Sequence, residues 1–457
     1  MTTDEILSLG LELAAFLAEF ADCFGRSEPR GKLETYVRGQ LGQLPRKSVE
    51  PIALAAGVRP RTLQEFLASD EWAEDRLAAH VRRLVVRDHA DDQAIGVIDE
   101  SGHPKKGEHT AGVWRQYCGR LGHIDNCVMT VHLSYTSFDS QFRTMLDSSL
   151  YLPQGWHEDR ARCRRARIPE EVVYRSKYAI ALEQLDRAVA EGVRFAWITA
   201  DEWYAQKGAF VRGLEERGQR FVLEIPTSLC VWLEDPAGIP LTAALPVKHV
   251  CRFSETFLEQ PWEPYYLKDT NKGPVVWEVK CAACWLPRGK GIVGPYWLVM
   301  ARNVLEPSET KYFLSNAAPG VPLPVILHVA FSRWSVERCL EDEKSELGLS
   351  HFEVRCYPAL QRHLRITHVS HLFLARQAAR LREKKSGGYT PPSAHGDQCL
   401  DRRPTPAQAR ASSAPHRRRT ATGLLARSQR SSATQPPQNT PCRTRKTAPQ
   451  PRPTTTL

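Results

Sequence analysis

Two short apolar runs in this chain each lead into a carboxylate, and this pattern predicts two buried strands. Residues 94–98 (AIGVI) precede Asp99, and residues 195–200 (FAWITA) precede Asp201. Unbroken apolar runs of this length are typical of strands covered on both faces of a sheet, and the Ser-Gly pair at 101–102 predicts that the first strand ends before it. Open α/β sheets bind ligands at the carboxyl ends of their strands. A lone acid there is usually a turn cap, but the repeated pattern makes both acids candidates for one site.

The first 85 residues have the apolar spacing of helices. Residues 49–67 (VEPIALAAGVRPRTLQEFL) have the layout of a helix-turn-helix, with a second helix beginning near Thr62. Thr62 and Glu65 fit a capping box, in which each side chain bonds a free amide at the helix start. The second helix would then present Arg61 and Gln64 to a DNA groove. An ordinary helical hairpin accounts for the same pattern.

The remaining chain changes character several times. Residues 138–156 show no clear period and predict irregular structure, whereas 227–320 alternate β-forming segments with Gly and Pro turns. We interpret the latter as a β-rich insertion within one fold. Residues 351–381 carry the apolar spacing of a helix that supplies core residues.

Residues 327–347 (LHVAFSRWSVERCLEDEKSEL) predict one continuous helix. At about 100° per residue, Arg333, Glu337 and Lys344 fall on one charged stripe beside an apolar stripe. Such a stripe is what any surface helix shows, so by itself it indicates only a solvated face.

The net charge of +10 comes from the end of the chain. Residues 386–457 carry 12 Lys and Arg against 2 Asp and Glu, so the preceding residues balance to zero. This segment has no Val, Ile, Phe, Trp or Met, and we predict that it is a disordered basic tail. It fits either a DNA-binding arm or the frameshifted end of a longer helical domain.

Composition also narrows the class of protein. No window resembles a membrane span, and the apolar run 6–20 contains Glu12 and Glu19, so it predicts an amphipathic helix, not a signal peptide. The twelve cysteines are predicted to be reduced thiols of a cytoplasmic protein. Cys281 and Cys284 form the only CxxC, which without a second pair is a weak indication of a metal site.

Five stretches together resemble one known family. These are IGVIDESGHPKKG, RQYCGRLGHIDNC, ITADEWY, GPVVWEVK and RWSVERCLEDEKSELGL, and the resemblance that they carry covers roughly residues 20–380. They resemble the DDE transposases of bacterial insertion sequences, in the clade whose third acid lies in a Tyr-x2-Arg-x3-Glu-x6-Lys signature. Arg333, Glu337 and Lys344 match that signature, whereas its Tyr position holds Ala330, with Phe331 beside it.

The resemblance implies an α/β fold with an RNase H-like mixed-sheet catalytic core. The implied division is an N-terminal helical, helix-turn-helix-like DNA-binding domain at 1–88, the first part of the core at 89–226, the β-rich insertion at 227–320, the final core helices at 321–385 and the disordered tail at 386–457.

Residue by residue, the resemblance implies that Asp99, Asp201 and Glu337 hold two Mg²⁺ ions, with Mn²⁺ able to substitute. Arg333 and Lys344 would contact phosphates near the transposon end.

DNA is the partner that this resemblance implies. Lys105 and Lys106, which follow the first acid, are expected to contact its backbone, as are Arg61 and Gln64 of the helix-turn-helix. The expected function is binding of the element's terminal inverted repeats, cleavage there and joining to double-stranded target DNA, with self-association on DNA. No membrane partner is expected, and the location would be cytoplasmic, at the nucleoid. Two alternatives stay open: an inactive or domesticated DNA-binding derivative, and a metal-dependent nuclease of the same fold without strand transfer.

Overall fold

The computed structural model describes residues 3–69, 72–236, 243–270 and 273–386, so the predicted tail lies outside the described residues. The described strands are β1 (Ile95–Pro104), β2 (Trp114–Cys118), β3 (His123–Thr136), β4 (Arg143–Leu150), β5 (Trp197–Ala200), β6 (Phe221–Glu224), β7 (Cys230–Val231), β8 (Leu245–Pro246), β9 (Glu263–Thr270), β10 (Gly273–Arg288), β11 (Gly291–Asn303) and β12 (Thr310–Ser315).

Most of these strands belong to one mixed sheet. Within the described residues its order is β2-β3-β1-β5-β6-β12-β11-β10-β9, and β4 also pairs with β3. The three central strands β1, β5 and β6 run parallel, and the other pairs are antiparallel. Strands β9 to β12 of the 227–320 segment therefore continue the central sheet through β12, whereas β7 and β8 of that segment pair with each other in a separate two-stranded sheet. This large mixed α/β sheet is consistent with the expected RNase H-like core.

Helices surround the sheet. They are α1 (Thr3–Ala18), α2 (Ser27–Leu41), α3 (Val49–Ala55), α4 (Pro60–Ala68), α5 (Glu74–His89), α6 (Gln154–Glu158), α7 (Arg160–Arg165), α8 (Lys177–Ala190), α9 (Glu202–Ala205), α10 (Gly208–Glu216), α11 (Val247–Phe253), α12 (Glu255–Glu259), α13 (Leu323–Phe331), α14 (Trp334–Glu341) and α15 (Tyr357–Ser386). Of the helices in the described ranges, none combines the length and the apolar character needed to cross a bilayer.

The two faces of β1 pack against different helices. Ile95 and Val97 share a buried apolar cluster with residues of α13 and α14. Ile98 belongs to another cluster, with α8 and the N-terminal helices. Because side chains alternate along a strand, Asp99 lies on the α14 face and Glu100 on the α8 face.

The N-terminal helices pack directly on α15. On α2, Gln40 donates a hydrogen bond to Thr367 Oγ1 (2.8 Å) and accepts one from Ser370 Oγ (2.8 Å). Tyr36 Oη and His363 Nδ1 are also hydrogen-bonded, at 2.9 Å. All these side chains are buried, so each bond satisfies groups that would otherwise be costly to hide from water. The separation of 1–88 as a domain of its own stays a prediction.

The predicted end of the first strand is wrong. β1 continues through Asp99 to Pro104, because β3 pairs with it along its whole length. Gly102 is not a turn residue: it lies opposite Met129, and a Cβ there would stand 2.8 Å from Cys118 Sγ. The glycine is needed for this close approach.

Two other predictions of secondary structure need correction. The 138–156 segment contains the strand β4, most of which is buried. The predicted helix 327–347 is broken: α13 ends at Phe331, α14 begins at Trp334, and a π-helical turn occupies Asp342–Glu346. Ser332 Oγ donates to His328 O (2.7 Å) at the first break, a side-chain bond that competes with the helical ladder. The single-helix projection therefore does not apply to Lys344.

The predicted helical pair at 49–67 is present as α3 and α4. A turn at Gly57, whose φ is +68°, joins them. However, α4 begins at Pro60, with Arg59 as its cap residue, and no side chain caps it. Proline fixes a helical φ at the first position, so the predicted capping box at Thr62 is wrong.

Candidate active site

Asp99 and Asp201 lie at the same level of two neighbouring parallel strands. The register of β1 and β5 pairs Ile98 with Ala200, and each acid is the next residue. Asp99 lies within β1, whereas Asp201 follows β5 and its Oδ1 caps the short helix α9 by accepting from the amides of Trp203 (3.0 Å) and Tyr204 (3.3 Å). The structure therefore brings the two predicted acids together, although β1 does not end at Asp99.

The proximity of the two carboxylates changes their acidity. Burial and the charge of Asp201 raise the pKa of Asp99 to about 7, although its Oδ1 accepts a hydrogen bond from the Glu100 amide (2.7 Å). Burial also raises the pKa of Asp201, against the effect of its helix-capping bonds. Each acid resists ionisation because it is poorly hydrated and lies beside the other. A bound cation would relieve both costs.

Glu337 lies on the same cleft, across from the two aspartates. The cleft encloses about 950 Å³, and its walls include Asp99, Asp201, Arg333, Glu337 and Lys344. Glu337 is 55% exposed, and its Oε1 pairs with Arg333 Nη2 at 2.6 Å. The structure thus brings all three predicted acids to one cleft, with the third bound to an arginine.

Two basic groups of the predicted signature also belong to this cleft. Although burial opposes its charge, Glu337, Glu224 and Asp99 raise the pKa of Arg333, so the guanidinium stays ionised among the acids. Burial lowers the pKa of Lys344, and the charge of Asp99 acts in the opposite sense. Both side chains lie where an anionic substrate in the cleft would meet them.

The signature's tyrosine position does not contribute to the cleft. Ala330 is buried in the apolar cluster below α14. Phe331 packs against the rings of Trp277, Phe313 and Tyr265, with ring centroids 5.0, 5.8 and 6.3 Å away. Its aromatic side chain is thus part of the packing between α13 and the sheet.

The other predicted DNA contacts lie outside the cleft. Lys105 Nζ donates to Phe352 O (2.6 Å) and lies 3.4 Å from that ring's centroid, and burial lowers the pKa of Lys105 to about 8. Lys106 and Gln64 are exposed. Arg61 is exposed as well, but its Nε pairs with Glu65 at 2.7 Å within α4. Lys105 therefore has an internal partner, whereas Lys106 is open to solvent.

Two further acids lie beside the site: Glu224, which the sequence did not single out, and Glu100, to which it assigned no role. Glu224 ends β6 and bonds Arg333 Nε (3.2 Å) and Lys311 Nζ (3.0 Å). Its signal was present, because FVLE is a third apolar strand that ends in an acid. Glu100 faces the other side of β1, where it pairs with Lys177 at 2.7 Å.

No ready-made metal cluster of three His, Cys, Asp or Glu side chains occurs in the described parts of the chain. The CxxC pair does not form one either: Cys281 and Cys284 are free thiols on β10, and burial raises the pKa of Cys281 to about 12. The donor set of the cleft nevertheless suits a hard cation, since two half-buried carboxylates lie side by side and neither forms an ion pair within the described residues.

The mixed sheet and its acids are consistent with the expected RNase H-like core. Residues 19–244 match the family described as "DDE superfamily endonuclease". The chain is also 24% identical over 331 residues to the "Probable transposase for insertion sequence element IS701" of Microchaete diplosiphon, a match that covers 71% of this chain and 76% of that relative. Both matches support a DDE transposase of an insertion element.

Proposed function

We propose that this protein is a DNA transposase that binds the terminal inverted repeats of its element, cleaves the DNA there and joins the ends to target DNA. The observation that carries the proposal is the position of Asp99 and Asp201 at one level of two parallel strands, with Glu337, Arg333 and Lys344 on the same cleft. A cleft lined by both acidic and basic side chains suits a phosphodiester, whose reaction needs both cations and phosphate-binding side chains.

Asp99, Asp201 and Glu337 are the residues that would hold Mg²⁺, and the raised pKa of Asp99 supports this assignment. Two bound Mg²⁺ ions would activate a water or a DNA 3′-hydroxyl and stabilise the leaving oxygen of an in-line displacement. A cation between the aspartates would favour their ionised forms, because it would place positive charge beside both carboxylates. As a ligand, Glu337 would give up its ion pair with Arg333, and that guanidinium would then be available for a phosphate oxygen.

DNA recognition would be divided between the cleft and the helical surface. Arg333 and Lys344 would hold the scissile region, and Lys106, together with the more constrained Lys105, would contact the backbone beyond it. The exposed side of α4, with Arg61 and Gln64, would enter a groove. The proposal includes the division of the chain into domains at residue 88, with further boundaries at residues 226, 320 and 385. Self-association on DNA and action at the nucleoid follow from the same proposal.

The decisive test is Asp201→Ala with DNA that carries the element's ends. We expect loss of Mg²⁺-dependent cleavage by a factor of about 10³ or more, with DNA binding in EDTA largely kept, because the substitution removes a metal ligand and no phosphate contact. Full cleavage by this variant would refute the assignment. Nicks without joined products would favour the nuclease alternative, and a gel shift without nicking by the wild type would favour the DNA-binding derivative.

A further inference from the structure

A third acid lies in the same row of the sheet as the two aspartates. The register pairs Ala200 with Leu223 between β5 and β6, so Glu224, the last residue of β6, lies at the level of Asp201. Its charge is one of those that raise the pKa of Asp201. Side chains at one level of parallel strands point to one face, so Glu224 shares the face of the catalytic acids.

Glu224 and Glu337 hold Arg333 from two sides. Arg333 Nε lies 3.2 Å from Glu224 Oε2, and Arg333 Nη2 lies 2.6 Å from Glu337 Oε1. Glu224 and Arg333 are each 20% exposed, whereas Glu337 is 55% exposed. The inner pair is thus shielded from water, and the outer pair is open to exchange.

We propose that Glu224 is a positioning residue that keeps Arg333 in place and so allows Glu337 to leave it for a cation. This inference rests on the proposed function of the cleft. With Glu224 present, Arg333 keeps one of its two ion pairs when Glu337 moves to a cation. Without Glu224, Glu337 is the one carboxylate among the described residues that forms an ion pair with Arg333, and the guanidinium competes with the cation for that side chain.

The test is Mg²⁺ binding to the full chain without DNA, measured by calorimetry. Glu224→Gln keeps the side-chain shape and removes the charge, and we expect Mg²⁺ affinity to fall about five- to tenfold, the size of one partly shielded ion pair. In an Arg333→Gln background the same substitution should change affinity less than about twofold, because the competitor is gone.

Two control variants separate this role from general charge effects. Lys311→Met removes the other ion pair of Glu224 and should leave Mg²⁺ affinity within about twofold. Glu278→Gln, which breaks a comparable pair with Arg302 further along the sheet, should do the same. Thermal unfolding of each variant in EDTA establishes that it is folded before binding is measured.

Each other result overturns the proposal. An equal loss in both backgrounds would make Glu224 a metal ligand, and no loss in either would make it irrelevant to cation binding. A gain with Lys311→Met as large as the loss with Glu224→Gln would assign the effect to net charge, because the two substitutions change the charge of the protein in opposite directions. Failure of the proposed function is distinct, because Mg²⁺ binding would then survive Asp201→Ala.

Discussion

Asp99→Asn is expected to stabilise the metal-free protein at alkaline pH although it abolishes cleavage. Burial and Asp201 raise the pKa of Asp99 to about 7, whereas the ordinary value is 3.8. Between these values the folded chain binds more protons than the unfolded chain, so the free energy of unfolding falls as pH rises through this window. Above about pH 7 Asp99 is ionised in the folded chain and lowers the free energy of unfolding by its full amount. Asparagine has no charge at this position, so the variant does not lose this free energy.

The size of the effect follows from the shift in pKa. A shift of about 3 units at about 1.4 kcal/mol per unit sets an upper limit of about 4 kcal/mol. Asp99 is only half-buried and borders the open cleft, where water screens its charge. We therefore expect a gain of about 2 kcal/mol at pH 8, and less than about half of that at pH 5.

The assay is equilibrium denaturation in EDTA at pH 5 and pH 8. Asp147→Asn is the matched control, because it makes the same substitution at a buried acid whose pKa is shifted in the opposite direction. Despite burial, Arg365, Arg187 and Arg82 lower the pKa of Asp147, and they lie 2.7, 3.0 and 3.4 Å from it. Its contribution to stability is present above the unfolded pKa, so its loss should cost about 3–5 kcal/mol at both pH values.

The reasoning would fail if Asp99→Asn lowered stability at pH 8 or raised it equally at both pH values. Saturating Mg²⁺ gives a second criterion. It should stabilise the wild type, which can bind the ion, and have much less effect on the variant.

Two further predictions concern β1 and the residues after it. Gly102→Ala should lower the free energy of unfolding by about 1–3 kcal/mol in denaturation, since its Cβ meets Cys118 Sγ, whereas Gly119→Ala, with no atom within 4 Å, should change it little. An unchanged free energy of unfolding for Gly102→Ala would show that the Cys118 side chain moves aside at little cost. Lys106→Ala should reduce the salt dependence of DNA binding by about one unit of slope, and Lys105→Ala by less, because the ammonium of Lys105 already bonds Phe352 O. Equal slopes for Lys106→Ala and wild type would remove Lys106 from the interface.

The part of the site nearest the sheet could be predicted from sequence because strand periodicity and strand ends are local properties. An apolar run followed by an acid places Asp99 and Asp201 without knowledge of any distant contact. Glu224 follows the same pattern, but the family that the sequence resembles has three acids, and these match Asp99, Asp201 and Glu337. Its importance depends on Arg333, which lies 109 residues later and reaches it only in the folded chain.

Two features that the sequence did not predict have different causes. β4 contains Asp147 in a buried position, which hides its strand character, and the acid is tolerated because arginines from α5, α8 and α15 surround it. For Asp147, tertiary contacts override the local pattern. The break in the helix at 327–347 is local, because Ser332 bonds His328 O four residues earlier and a π turn follows, and neither leaves an apolar signal.

The hydrogen bonds between α2 and α15 join residues 327 to 330 positions apart. During synthesis, Tyr36 and Gln40 are therefore made long before the side chains that satisfy them. The N-terminal helices can pack on α15 only after α15 has been synthesised, and α15 follows α14, the helix that carries Glu337. Contacts between such distant residues slow folding, because the chain loses loop entropy before these contacts form. A chain whose synthesis has not reached α15 therefore lacks the side chains that bond Tyr36 and Gln40.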